Sequence, residues 1–323
     1  MAQQHHSKVL ILGSGAAGYT AAIYAARANL APHLVTGTDV GGQLAITTDV
    51  ENYPGFADVI QGPWLMAQMR QQAEKVGALI MNDLVVEIDL SRRPFVCLGD
   101  SGDRYLGETL VIATGARARW LGLASEEKFK GHGVSACATC DGFFFRGKDV
   151  AVVGGGNTAV TEALYLANIA RSVTLIHRRD ELRAENLLQA RLLGHPKVRV
   201  AWDSAVDEVL GQGEPPTVTG LRLRHLKTGA TSELAAEGVF IAIGHDPATE
   251  LFRGKLPMDA HGYLITAPDS TKTRIPGVFA AGDVRDKVFR QAVTAAGMGC
   301  MGALEAERFL GELEVGAGLA AAQ

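Results

Sequence analysis

The chain lacks the features that nucleic-acid-binding and membrane proteins depend on. Its 323 residues carry 31 lysines and arginines against 35 acids, a net charge of −4. That balance provides no basic face for a phosphate backbone and no cationic cluster for anionic lipid. No apolar run approaches the roughly 18 residues of a membrane span. The N-terminal MAQQHHSKVLILGSG runs straight into a strand and a glycine turn. It has neither the apolar core nor the cleavage site of a signal peptide, so a cytoplasmic protein is expected. Aromatics are only 6% of the residues. Cysteine is scarce as well: Cys97, Cys137, Cys140 and Cys300. Four such residues in a chain of this length do not make a structural disulfide framework.

Glycine, by contrast, is abundant. There are 38, well above an average usage of roughly 7%. Nucleotide-binding α/β folds need such an excess for tight turns and close backbone approaches.

The glycines fall into an internal echo. Val9–Gly18 reads VLILGSGAAG and leads into an Ala-rich helical run. Val150–Ala159 reads VAVVGGGNTA and leads into another, its first glycine 141 positions after Gly13. Each helix is followed by a second strand, HLVTG at 33–37 and SVTLIH at 172–177. A β-α-β unit implies parallel strands and a doubly wound sheet. A second echo, LVIATGA at 110–116 and VFIAIGH at 239–245, closes each unit. The expected fold class is therefore α/β, with two Rossmann-like dinucleotide-binding domains, one inserted in the other. The outer domain is expected over 1–118 and 247–323, the inner over 119–246. GQGEPP at 211–216 reads as a hairpin loop. The stretch from IPGVFAAGDV onward reads as a strand, a turn and a long helix returning to the first domain, with a Gly/Ala-rich tail that frays after Glu314.

The two glycine turns lead to different residues. Gly13-x-Gly15-x-x-Gly18 is a complete fingerprint: the glycines allow the tight turn, the approach of a pyrophosphate, and close helix–strand packing. Gly154-x-Gly156-x-x-Ala159 is its Ala variant. About 20 residues past such a turn, an NAD site carries an acid for the ribose 2′-hydroxyl. After the second turn stands His177-Arg178-Arg179, with Arg183 close behind. Two forked cations suit a 2′-phosphate, so the inner domain is read as an NADPH site. After the first turn stands Thr36, neither acid nor cation. The first unit is thus no ordinary NAD site, and FAD is its natural occupant.

Cys137-Ala-Thr-Cys140 is followed at once by Asp141. Zinc needs about four ligands, and Cys97 and Cys300 bring no partner motif. Two inert buried cysteines are a second reading. A dithiol–disulfide pair is the third and favoured one; its chemistry needs one attacking and one resolving thiolate. Asp141 can carry the proton exchanged at each turnover, or serve only as a turn or cap residue. A flavin between NADPH and a disulfide converts hydride delivery into two electrons at sulfur, which explains two dinucleotide sites and one C-x-x-C in a single chain.

These motifs identify a family. The blocks GSGAAGYTAA, GGQL, ENYPG, ATGA, GVSACATCDGFF, GGGNTA, HRRD, AIGH and GVFAAGD with RQA after it resemble the low-molecular-weight, bacterial-type thioredoxin reductases of the class II pyridine nucleotide-disulfide oxidoreductases, over about Lys8 to Leu310. The resemblance implies FAD contacts at Gly13, Gly15 and Gly18 and along the loop from Thr36 through Gly41 and Gly42 to Gln43. It adds Asn52, Asp283, Arg290, Gln291 and Ala292. On the NADPH side the matching block runs through Asn157 and Thr158. It implies that Cys140 faces the flavin, that Cys137 attacks the disulfide of thioredoxin, that Asp141 is the acid, and that the protein is a homodimer. It also implies domain rotation between half-reactions, with hinges around Gly115–Leu121 and Gly244–Thr249. Phe143, Phe144 and Phe145 are either core or an apolar knob for the partner. His132 stands where relatives often carry Arg. A flavin-dependent oxidase of small dithiols is the nearest alternative, and Arg178 and Arg179 argue against it. Cys97, Cys300, Trp64, Trp120 and Trp202 are read as packing residues.

Overall fold

The computed structural model describes residues 2–47 and 49–321, with side chains through Val315. The chain divides into two compact units, Met1–Arg117 with Asp246–Gln323, and Ala118–His245. The division falls one residue before the boundary read from the sequence echo.

In the outer unit the run VLIL of strand Gln4–Leu12 is buried on both faces, at 0–2% exposure. Only a central parallel strand covered on both sides uses four consecutive apolar residues in this way. It pairs in parallel with His33–Val35 on one side and Arg104–Ile112 on the other. The seven-stranded sheet is completed by Leu79–Met81, Phe95–Gly99, Val85–Asp89 and Val278–Ala280. Two of these, Phe95–Gly99 and Val85–Asp89, run antiparallel to their neighbours.

Helix Ala16–Arg27 crosses between the first two strands. Its alanines leave the surface flat enough for the terminal helix Ala292–Ala321 to lie against it. At the crossing a Cβ on Gly299 would stand 2.1 Å from the Ala17 carbonyl oxygen, so glycine there is a packing requirement. Tyr19, Leu34, Phe279 and Ala306 fill the same core at 0–1% exposure. Each large apolar side chain so buried stabilises the fold by about 1.5–3 kcal/mol. The backbone beyond Glu314, expected to fray, continues the terminal helix to Ala321. Alanine has the highest helix propensity, which offsets the scattered glycines of this tail.

The inner unit repeats the plan. Its five strands are all parallel, in the order Val134–Ser135, Gly238–Ile241, Asp149–Val153, Ser172–Ile176 and Val198–Ala201. Helix Asn157–Ala167 makes the crossover. A three-stranded antiparallel sheet follows, Ser204–Gln212, Thr217–His225 and Thr231–Ala235, and the GQGEPP segment supplies its first turn.

The two crossings are pinned on each side. Within the outer unit the Ala248 N–H donates to the Gly115 carbonyl at 2.9 Å. Within the inner unit Arg119 N–H donates to Gly244 at 2.9 Å, and the buried carboxylate of Glu126 accepts from Leu121 and Gly122, both at 2.9 Å. Among the described residues no helix is long and apolar enough to cross a membrane.

Candidate redox site and its two dinucleotide cradles

Each glycine turn does what its residue types allow. Gly13 has φ +106°, and a Cβ there would lie 2.2 Å from the Ala113 oxygen. Gly18 would drive a Cβ to 1.9 Å from the Gly13 oxygen. Gly15, at the N-cap of the first helix, has nothing within 4 Å of its Cβ position. Two glycines are therefore required by packing, and the third leaves a concavity at a helix N-terminus. That concavity suits an anion approaching the free N–H groups.

The loop after the second strand folds over this turn. Gly42 packs against Gly15, with a Cβ position 3.4 Å from the Gly15 Cα. The Ser14 hydroxyl ties the arrangement together, donating to the Thr36 carbonyl at 3.0 Å and accepting from the Gly41 N–H at 3.1 Å. Ser14 is a residue the sequence reading missed, because it fills an "x" of the fingerprint. Thr36 is buried, and its hydroxyl donates to the Gly37 carbonyl, so its side chain serves its own loop. Gln43 is the second residue of the short 3-10 turn Gly42–Ile46, with an exposed side chain.

Residues far apart in the chain meet nearby. Asn52 Nδ2 donates to Gln291 Oε1 at 3.3 Å across 239 positions. Arg290 adopts φ +48°, and Ala292 begins the terminal helix. Asp283 holds an enclosed Oδ1 with no hydrogen-bond partner. Burial, then the neighbouring Asp286, push the Asp283 carboxyl up to about 7, with Arg290 opposing. A buried acceptor left without a donor is costly, and a hydroxyl-bearing ligand would satisfy it. The concavity at Gly15, the absence of an acid at Thr36 and the orphaned Asp283 oxygen all fit FAD.

The second cradle is built alike. A Cβ on Gly154 would meet the Ala242 oxygen at 2.5 Å and the Ala159 Cβ at 2.6 Å, whereas Gly156 has nothing within 4 Å. Thr158, in the first helical turn, is half-buried. Gly155, absent from the sequence reading, lies on the His177 ring; a Cβ would stand 2.1 Å from it. His177 is buried with Nε2 2.9 Å from the Glu181 carbonyl, so its ring supports the glycine turn from beneath. Burial lowers its pKa, with Arg183 and Arg179 adding to the effect and carbonyl contacts opposing.

The basic turn is laced to the glycine turn by backbone and side chains. Arg183 N–H donates to the Gly155 carbonyl at 2.8 Å. Asn157 and Glu185 exchange two hydrogen bonds, each 2.9 Å. Arg178, Arg179 and Arg183 are exposed, and among the described residues no carboxylate pairs with their side chains. Asp180 binds Lys227 instead, at 2.8 Å. Elsewhere the chain pairs Arg70, Arg117, Arg171, Arg222 and Arg224 with acids. Three unpaired guanidinium groups beside an open helix N-terminus fit the 2′-phosphate of NADPH.

The cysteines lie just before this cradle, on a short helix, Ala138–Asp141. Cys137 and Cys140 form a disulfide with Cα atoms 5.3 Å apart. Cys137 is the N-cap: its Sγ accepts from the Cys140 N–H at 3.2 Å and lies 3.4 Å from Thr139 Oγ1. Buried Ser135 orients it, accepting from the Cys137 N–H at 3.0 Å. Asp141 is half-buried and makes no capping bond to the turn after it.

The three phenylalanines divide. Phe145 is buried, edge-on to Phe240 at 5.3 Å, and Phe144 packs on the inner core. Phe143 is 57% exposed. The other cysteines stand apart: Cys97 is buried in the outer core with its thiol pushed up to about 12 by burial, and Cys300 is half-buried on the terminal helix. Trp64 is 45% exposed, with Phe56 edge-on to it. Trp120 receives Lys130 on its face at 4.2 Å, and Trp202 packs on the inner core.

The comparisons with known proteins cover nearly the whole chain. The family model for pyridine nucleotide-disulphide oxidoreductases matches residues 7–299. A thioredoxin reductase of Rickettsia conorii is 59% identical over 304 residues, which cover 94% of this chain and 98% of that one. A Pseudomonas fluorescens protein named glucosaminate ammonia-lyase is 53% identical over 321 residues, covering 97% and 99%. Among solved structures, a thioredoxin reductase from Giardia duodenalis superposes with a TM-score of 0.92 at 42% identity, covering 95% of this chain and all of that one.

Proposed function

The chain belongs to the pyridine nucleotide-disulphide oxidoreductase family, and on that footing we propose that it reduces the disulfide of thioredoxin with NADPH, through FAD and the Cys137–Cys140 pair. The observation that carries this reading is the disulfide itself, set in the chain shortly before the strand that leads into a dinucleotide cradle whose three arginines are unpaired among the described residues. The outer unit holds FAD at Gly13, Gly15 and Gly18, along the Thr36–Gln43 loop, and at Asn52, Asp283, Arg290, Gln291 and Ala292. The inner unit holds NADPH at Gly154–Ala159, with Arg178, Arg179 and Arg183 on the 2′-phosphate and His177 bracing the turn.

FAD, when bound, accepts a hydride from the nicotinamide and passes two electrons to a sulfur. Two electrons and two protons convert the Cys137–Cys140 disulfide to a dithiol. Cys137, as thiolate, attacks one sulfur of the thioredoxin disulfide and expels the other, which leaves a mixed disulfide. Cys140 then attacks Cys137 Sγ, re-forms the internal disulfide and releases dithiol thioredoxin. Asp141 carries the protons that the thiols gain and lose. The exposed Phe143 beside this pair supplies an apolar contact for the partner.

Nicotinamide and the cysteine pair belong to the same inner unit, and both must reach one flavin. Rotation of the units between half-reactions meets that requirement. The pinned pairs Gly115·Ala248 and Arg119·Gly244 leave the hinge to the residues between them. The protein works as a homodimer in the cytoplasm, a reducing compartment that suits a disulfide cycling through its dithiol.

Elimination of ammonia from an amino-sugar acid needs neither a hydride carrier nor a disulfide, so the second name among the relatives does not account for this site. The test is coupled turnover: purified protein with NADPH, thioredoxin and a colorimetric disulfide. NADPH consumption that requires thioredoxin and disappears in Cys140→Ser supports the reading. Ammonia release from glucosaminate, or oxygen uptake with small dithiols and no NADPH use, overturns it.

A further inference from the structure

Between Asp283 and the terminal helix Val284 is buried in the core and Lys287 pairs with Asp259 at 2.6 Å, but the tip beyond them has little packing to hold it. Val288 and Phe289 are 67% and 64% exposed. Arg290, next in line, adopts φ +48°, a region that a side-chain-bearing residue enters at a cost. Hydrogen bonds rather than burial must therefore fix this tip.

The group that gathers them is Asp286. It is 6% exposed, and among the described residues no cation pairs with it. Its charge is met by backbone alone. Oδ1 accepts from the Val288 and Phe289 N–H groups, both at 2.9 Å, and Oδ2 accepts from Arg290 at 3.1 Å. Its own N–H is anchored to the Gly282 carbonyl at 3.0 Å. Beyond Arg290 the loop closes on itself. Gln291 Nε2 donates to the Phe289 and Arg290 carbonyls at 3.2 Å, and the Thr294 hydroxyl accepts from the Gln291 N–H at 3.3 Å.

We infer that Asp286 is a positioning residue for the flavin: by gathering three successive N–H groups it sets the left-handed turn at Arg290 and so the placement of Arg290 and Gln291. The inference rests on the reading of Arg290–Ala292 as flavin-binding. It assigns Asp286 no contact with the reacting atoms. A carboxylate is suited to this task because charge-assisted bonds to backbone N–H groups are roughly twice as strong as neutral ones. An amide can reproduce two of the three: its oxygen can still accept from Val288 and Phe289, but its NH2 faces the Arg290 N–H as a second donor.

The test compares wild type with Asp286→Asn and Asp286→Ala. It measures FAD dissociation by flavin fluorescence, and the visible spectrum and midpoint potential of the bound flavin at saturating FAD. Asp286→Ala is expected to weaken FAD binding on the order of tenfold or more and to move both the spectrum and the potential. Asp286→Asn should fall between the two. An Asp286→Ala protein with wild-type circular dichroism, affinity, spectrum and potential overturns the inference. Should the alanine variant fail to fold, an asparagine variant identical to wild type in all three flavin readouts overturns it equally. Wild-type protein that takes up no FAD overturns this inference together with the reading beneath it, whereas normal uptake by wild type and by Asp286→Ala alike overturns this inference alone.

Discussion

The Cys140 N–H donates to the Cys137 sulfur at 3.2 Å, and Thr139 Oγ1 lies 3.4 Å from the same atom. A sulfur that keeps these partners after reduction favours its thiolate. In a Cys140→Ser variant Cys137 keeps these partners but loses its resolving thiol, so its attack on the thioredoxin disulfide should stop at the mixed disulfide. Mass spectrometry of reduced Cys140→Ser mixed with oxidised thioredoxin should find the covalent complex, and Cys137→Ser should give far less of it. Equal trapping by Cys137→Ser would remove the basis for giving Cys137 the attacking role.

Arg178 and Arg179 stand exposed and unpaired among the described residues, while Asp180 beside them is held by Lys227. Replacing either arginine with alanine should raise KM for NADPH on the order of tenfold. The KM for NADH should not move, and kcat should stay near wild type, the pattern of lost ground-state binding. Steady-state kinetics with both nucleotides decides the point. A parallel rise for NADPH and NADH would mean that the turn holds something common to both.

The glycines of the inner cradle separate fold from binding. Gly156 has φ −96°, and nothing stands within 4 Å of its Cβ position. Gly156→Ala should fold with an unchanged melting temperature yet bind NADPH poorly, because the methyl fills the concavity. Gly154→Ala should lower stability by about 1–3 kcal/mol, since its Cβ would meet the Ala242 oxygen at 2.5 Å. Thermal melts beside nucleotide titrations distinguish the two. A Gly156→Ala protein with wild-type NADPH affinity would place the pyrophosphate elsewhere.

How legible these features were in the sequence depends on how local their causes are. The two glycine turns and their flanking strands were readable because tight backbone geometry restricts residue type within a few positions. The unlike residues at Thr36 and at Arg178–Arg179 were readable because ribose and phosphate recognition falls at a fixed distance from the turn. Ser14 and Gly155 were not, since both occupy positions that the fingerprint leaves open; only the folded-over loop and the His177 ring give them a role. The Asn52–Gln291 contact spans 239 positions, so no local pattern encodes it and only resemblance pointed to both residues. No sequence pattern singles out Asp286. Its importance comes from three N–H groups that converge only once Arg290 has turned left-handed.

Asp283 gives the fold a pH dependence whose sign can be worked out. Burial and Asp286 push its carboxyl up to about 7, against an ordinary aspartate value of 3.8. The folded protein without FAD thus binds more protons than the unfolded chain between those values. The group's contribution to stability is full below about 4 and is lost as pH rises toward 7. A ligand hydroxyl donating to Oδ1 favours the carboxylate and lowers that pKa. FAD binding should then release a proton, so affinity should rise with pH up to about 7 and level off above it. Fluorescence titration of FAD into flavin-stripped protein from about pH 5.5 to 8 measures this, with Asp283→Asn as the control whose curve should be flat. A wild-type affinity that falls over this range would mean that the neutral acid, donating rather than accepting, is the form that meets the ligand.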